Sequence, residues 1–146
     1  LGFLSPFLSR DSEANEPPVM VSSPFEDVQS AEKFEPLGFS IDAPEGAEDV
    51  TYCIYDGAIA RVDFTLSRHD YTYEAAKLDG NFSRADGEAI GSVSLNAEYD
   101  ATLDRLSPDV WRAHWSKDGV SYYLTNFDGA EESAITGVAD TLMESN

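Results

Sequence analysis

Five of the ten glycines in this 146-residue chain directly follow aspartate: Asp56-Gly57, Asp79-Gly80, Asp86-Gly87, Asp118-Gly119 and Asp128-Gly129. Both residues of an Asp-Gly pair tolerate the positive φ of a type I′ turn, so the pair between alternating apolar residues is a strong local signal for a β-hairpin. At least two of the five sit in that context. With Asp118 and Gly119 as the loop, Trp115 lies across from Tyr122 and Ala113 across from Leu124, with Trp111 on the same face. His114 then faces Tyr123 on the other side. With Asp56 and Gly57 as a two-residue loop, Tyr55 pairs with Ala58 and Cys53 with Ala60, which predicts a core face of Thr51, Cys53, Tyr55, Ala58, Ala60, Val62, Phe64 and Leu66. Arg61 and Asp63 fall on the opposite, wet face.

Between these hairpins, Val93, Leu95, Ala97, Tyr99, Ala101 and Leu103 alternate with polar residues over eleven positions. That is long for one strand, so the run is read as two strands bending near Ala97 to Asp100. Residues 71–78 fit either a helical turn or a strand and stay open. Ser23-Pro24-Phe25-Glu26 has the layout of a capping box and predicts a short helix, with Phe25, Val28, Ala31 and Phe34 as its apolar stripe and Pro36 and Gly38 as its stop. A last helix is expected from Asp128, with Glu131 as the cap partner and Ala134, Ile135, Val138, Ala139 and Leu142 on one face. The result is an α+β fold: a twisted antiparallel sheet of about six strands built from hairpins, with a short N-terminal helix and an amphipathic C-terminal helix packed on it. One domain over residues 23–146 fits the length, after an apolar opening and an acidic, Pro-rich linker over residues 1–22.

Charge narrows the partners. With 28 Asp and Glu against 9 Lys and Arg, the net charge of -19 repels phosphate backbones and anionic lipid surfaces. Neither nucleic-acid binding nor membrane insertion is expected. The apolar opening, Leu1 to Leu8, is far shorter than the roughly 20 residues of a membrane span and lacks the features of a signal peptide, so it reads as a fragment whose upstream part is missing. Asn81-Phe82-Ser83 matches a glycosylation triplet, a pattern common by chance.

No Gly-rich phosphate loop, nucleophile elbow, His-Glu-x-x-His or paired cysteines occur in the sequence. His69, in Ser-Arg-His-Asp, reads as a solvent-facing loop residue, and His114 as structural. The lone Cys53 reads as a small core hydrophobe. Asp42, Glu45, Glu48 and Asp49 lack the ligand spacing of a dedicated calcium loop and read as a solvated acidic face. Two histidines and one cysteine barely suffice for a transition-metal site, and neither a metal nor a cofactor is expected. Glu131 and Glu132, neighbours on a helix, point about 100° apart and do not make a glycosidase pair.

Several of these segments together resemble a known family. Ser23-Pro24-Phe25 leading into Leu37-Gly38-Phe39-Ser40-Ile41-Asp42-Ala43-Pro44, the step Leu78-Asp79-Gly80-Asn81-Phe82, and Trp115-Ser116-Lys117-Asp118-Gly119-Val120-Ser121-Tyr122-Tyr123-Leu124 before a final helix are similar to a bacterial domain of unknown function. That domain forms the outer end of membrane-anchored anti-sigma factors and small lipoproteins of Gram-positive bacteria. The resemblance spans about residues 23–143 and carries over no functional residues. It implies an extracytoplasmic module at the cell envelope that binds or senses a protein or envelope ligand without catalysis. An enzyme with a diffuse carboxylate site and a purely structural or inhibitory interaction domain are the alternatives. The sheet face left without an assigned cover supplies the candidate binding residues, Tyr52, Ile54, Ile59, His114 and Tyr123. Either these five form a partner site, or the segment Leu1 to Leu8 folds back over them.

Overall fold

The structure, a computed structural model, describes residues 25–78, 81–83, 85 and 87–145. The apolar opening and linker assigned to residues 1–22 and the Ser23-Pro24 cap lie outside the described residues. Eight antiparallel strands follow in chain order: β1 (Phe25–Val28), β2 (Glu48–Tyr55), β3 (Ile59–Leu66), β4 (His69–Ala76), β5 (Gly91–Asn96), β6 (Ala101–Ser107), β7 (Val110–Lys117) and β8 (Val120–Asn126). A 3-10 helix (Ala31–Leu37) separates β1 from β2, and an α-helix, α1 (Glu132–Ser145), ends the described chain. The fold is α+β, with one twisted sheet in the order β1-β2-β3-β4-β8-β7-β6-β5. Two consecutive four-stranded meanders therefore meet along a single seam, β4 against β8.

Among the described residues the strand count exceeds the expectation by two. Residues 69–76 form β4, buried without interruption from Tyr71 to Ala76; Tyr71, Tyr73 and Ala75 alternate with Thr72 and Glu74, but over a run too short for periodicity to separate a strand from a helical turn. Phe25 to Val28, expected as the first turn of a helix, form β1 against Tyr52 to Tyr55. Phe25 packs its ring 4.8 Å from Tyr55, with the Arg61 guanidinium 5.1 Å above it. The helix begins only at Ala31, after Ser30 in extended conformation, runs through Pro36 and stops at Gly38 (φ 91°).

The Asp118-Gly119 hairpin has the expected register, Tyr122 opposite Trp115 and Leu124 opposite Ala113. The break near residues 97–100 is also present, separating β5 from β6. Around Asp56-Gly57 the pairing differs by one residue: Tyr55 faces Ile59 and Cys53 faces Arg61, so Ala58 joins the loop. Side chains alternate with period two, so this shift exchanges the faces of β2. Tyr52 and Ile54 join Ala60, Val62 and Phe64 on the core side, while Cys53 is half-buried on the other. Burial pushes the Cys53 thiol pKa up, more than the neighbouring Arg61 pulls it down.

Both helices cover the same face of the sheet. Phe34 of the 3-10 helix sits 6.1 Å from the Tyr52 ring. Helix α1 starts at Glu132 rather than Asp128, with the Glu131 carbonyl accepting from the amides of Ala134 and Ile135. Ile135, Val138, Ala139 and Leu142 are buried as the spacing predicts, joined by Met143, whereas Ala134 is only half-buried. Between helices and sheet, Trp115 stacks on Tyr122 at 5.6 Å with Tyr73 alongside, and the Trp111 indole N–H donates to the Ala130 carbonyl at 2.8 Å.

Leu103, fully buried beneath this layer, tests the core against the edge of the sheet. Leu103→Ala is expected to lower unfolding stability by about 2–5 kcal/mol, because both transfer energy and packing are lost. Val93→Ala on β5, where Val93 is 43% exposed, should cost about 0.5 kcal/mol or less. Urea denaturation midpoints of the two variants check the contrast.

Candidate functional site

Directly opposed residues of antiparallel strands share a face, so the register fixes what stands on the side of the sheet away from the helices. One row across it runs Cys53, Arg61, Glu74, Tyr123, His114, Thr102. The next row runs Asp63, Thr72, Thr125, Arg112, Asp104, Ser92. These are polar residues, yet the middle of the face is dry: Glu74 and Thr125 are fully buried, and Arg61, Arg112 and Asp104 nearly so. Part of the cover comes from the connection between the two meanders. Phe82 sets its ring edge-on to Tyr123 at 4.8 Å, and the Ala85 carbonyl accepts from Arg112 Nη1 at 3.1 Å.

Desolvated charges are tolerable only when paired, and the face pairs its buried charges in two clusters, although among the described residues Arg112 Nε and the Thr125 hydroxyl have no hydrogen-bond partner. Arg61 donates from Nε and Nη2 to Glu74 Oε2, at 3.0 and 2.8 Å. Asp104 is the centre of the other cluster. It accepts from Ser92 Oγ at 2.7 Å and from Arg112 Nη2 at 3.1 Å, and His114 Nε2 lies 3.1 Å from its Oδ2. Burial works against the Asp104 carboxylate, but hydrogen bonds from Ser92 and Arg112 and the charges of His114 and Arg112 hold its pKa below the usual range.

Serine, histidine and aspartate thus meet in one network, but in an order that does not activate a nucleophile. A hydrolytic triad needs the imidazole between the hydroxyl and the carboxylate, so that one ring nitrogen takes the hydroxyl proton. Here the carboxylate stands between the other two. The Ser92 hydroxyl and the His114 imidazole both point at Asp104, and neither addresses the other.

Of the five residues put forward from sequence, the structure brings only two together. His114 and Tyr123 are opposed, their rings 5.7 Å apart, and with Ser116 and Ser121 they border a crevice of about 170 Å³. Ile59 is on the same face but buried near the first hairpin. Tyr52 and Ile54 are on the helix side, as a consequence of the shifted register. Tyr52 donates its hydroxyl to Asp42 Oδ1 at 2.6 Å, and burial with this carboxylate pushes the phenol pKa up to about 12. The five side chains form no single patch. Asp104, Arg112, Arg61 and Glu74 were not legible as a unit. Their only signal is the placing of Arg61 between Ala60 and Val62, which reads equally well as a wet face.

His69 is not a loop residue: it opens β4, and its Nδ1 lies 2.9 Å from Asp128 Oδ1. Asp128 also accepts from the Asp70 amide and from Asn126 Nδ2. These donors outweigh burial and lower its pKa. Asp128 borders a cleft of about 460 Å³ at the end of the sheet, shared with Asp49, Asp63, Asp70, Tyr71 and Phe127. Asp63 and Asp70 carry Thr72 and Thr65 as hydroxyl donors. Among the described residues, no group of three or more His, Cys, Asp or Glu side chains is arranged to hold a metal ion. No described helix is long and apolar enough to cross a membrane.

Compared with protein-family models, curated proteins and solved structures, the chain matches none of them.

The depressed Asp104 carboxyl pKa gives a signed pH dependence. Its contribution to stability is fully present above the unfolded carboxylate value of about 3.9 and is lost as pH falls through the lower folded value. Asp104→Asn should cost about 3 kcal/mol at neutral pH, because the buried Arg112 loses its counter-charge. It should also flatten the decline of stability in the acid range. Parallel stability-pH curves for parent and variant, from chemical denaturation, would assign the acid sensitivity elsewhere.

Proposed function

We propose that this chain is a non-catalytic binding module of a bacterial cell envelope, held outside the membrane by an anchor or a lipid upstream of Leu1, whose partner is a protein or an envelope ligand. The wiring of the polar face carries the non-catalytic half of this reading: Asp104 separates Ser92 from His114, and the buried Arg61 and Arg112 are neutralised by Glu74 and Asp104. Charged groups committed to one another in this way hold a sheet in register and are poorly suited to proton transfer with a substrate. The envelope half rests on the likeness of residues 23–143 to the outer domains of anti-sigma factors and lipoproteins.

Two measurements test the two halves. A fluorophosphonate probe, which labels activated serines, is expected to leave Ser92 unmodified, and stoichiometric labelling there would overturn the non-catalytic reading. Protease added to intact cells expressing the protein from its own gene should digest this domain while sparing a cytoplasmic control. Protection of both would overturn the envelope location.

A further inference from the structure

Among the described strands, the two outermost strands of the sheet are unlike. β1 presents Glu26 and Asp27, and charged side chains on an edge discourage pairing with another chain. β5 reads Gly-Ser-Val-Ser-Leu-Asn, with no charge and no proline, and among the described residues it pairs only with β6. Gly91 to Ser94 are exposed, and the adjoining Ile90 is 68% exposed. An unguarded edge of this kind offers a row of main-chain donors and acceptors, with apolar side chains beside them, to any extended segment.

We infer that β5 receives an extended, basic polypeptide segment as a ninth strand. This rests on the reading of the domain as a binding module and gives that module a partner class. Charge selects the occupant. Glu88, Glu98 and Asp100 stand exposed around the two ends of β5, on a chain whose net charge is -19. Among the described residues, two nearby cations are held in place: Arg105 lies over the Trp111 ring and donates to the Pro108 carbonyl, and Lys117 lies over Tyr99. A second copy of the chain would bring the same acids against themselves, whereas a segment alternating lysine with β-branched residues matches both the flanking charge and the edge at Ile90 and Val93.

The probe is a Lys-Val-Lys-Val-Lys-Val peptide, compared with its fully N-methylated counterpart, which keeps the charge and loses every main-chain donor. The unmodified peptide is expected to slow amide exchange within residues 91–96. N-methylation should weaken its binding by roughly tenfold or more, since each main-chain bond lost removes part of the free energy. Val93→Lys, at an exposed position that leaves the core intact, should weaken the unmodified peptide to a similar degree. Equal affinities for the two peptides, or protection confined to the acidic cleft around Asp63 and Asp70, would overturn strand addition. Sedimentation that finds the chain dimeric through a protected β5 would overturn the choice of occupant. These are measurements on purified protein, so their failure leaves the cell-surface protease result standing, and the reverse holds too.

Discussion

The pairing of β4 with β8 is the contact on which the rest of the molecule depends. Each meander is assembled from neighbours in sequence, but Tyr73 opposite Leu124 and Glu74 opposite Tyr123 join residues about fifty positions apart. Such a pairing must overcome the entropy of closing a long loop, and the seam is secured accordingly. Asn126 Nδ2 donates to the Asp70 carbonyl at 2.9 Å, and Asp128 takes the Asp70 amide and lies against the His69 imidazole. Both faces are continuous only through this line. On one side Tyr73 reaches Trp115 and Tyr122; on the other, the two polar rows cross from Arg61 and Asp63 to His114 and Arg112.

The same dipeptide was informative in one hairpin and misleading in the other. Asp118 and Gly119 form a two-residue loop, so the alternation of Trp111, Ala113 and Trp115 transfers directly to Tyr122 and Leu124. Asp56 and Gly57 are also both left-handed, yet Ala58 is included before pairing begins, and nothing local to the dipeptide distinguishes the two loops. Alternation in β3 still identified Ala60, Val62 and Phe64, because these positions do not depend on the partner strand. Cys53, Tyr52 and Ile54 were assigned through the turn and changed faces with it. β4 stayed open for another reason: Tyr71, Tyr73 and Ala75 alternate with Thr72 and Glu74, but the run is too short for periodicity to tell a strand from a helical turn. Adjacency of His114 and Tyr123 could be read from sequence because it lies within one hairpin. Asp104, supplied by β6, could not be added to them without knowing how β6 pairs with β7.

Scarcity of cations gives the polar face its character. Nine basic residues serve 28 acidic ones, and two of the nine, Arg61 and Arg112, are spent in the interior of the sheet. Overall self-repulsion at -19 favours expansion, while the buried pairs attract over distances too short for salt to screen. Folding therefore sets a diffuse, salt-sensitive penalty against localised attractions, and the acidic exterior keeps solubility without any contribution from the buried charges.

The strand order has a consequence for how the chain can be divided. Among the described strands, none of one meander is interleaved with those of the other, and the chain leads from the first meander to the second between Ala76 and Gly91. A break in that passage leaves every hairpin whole and assigns one side of the seam to each fragment. Recombination of two separately expressed halves, as in a split reporter, would have to run through β4 and β8. By the same topology two intact molecules can trade halves, giving an intertwined dimer whose sheets are each indistinguishable from the monomer's.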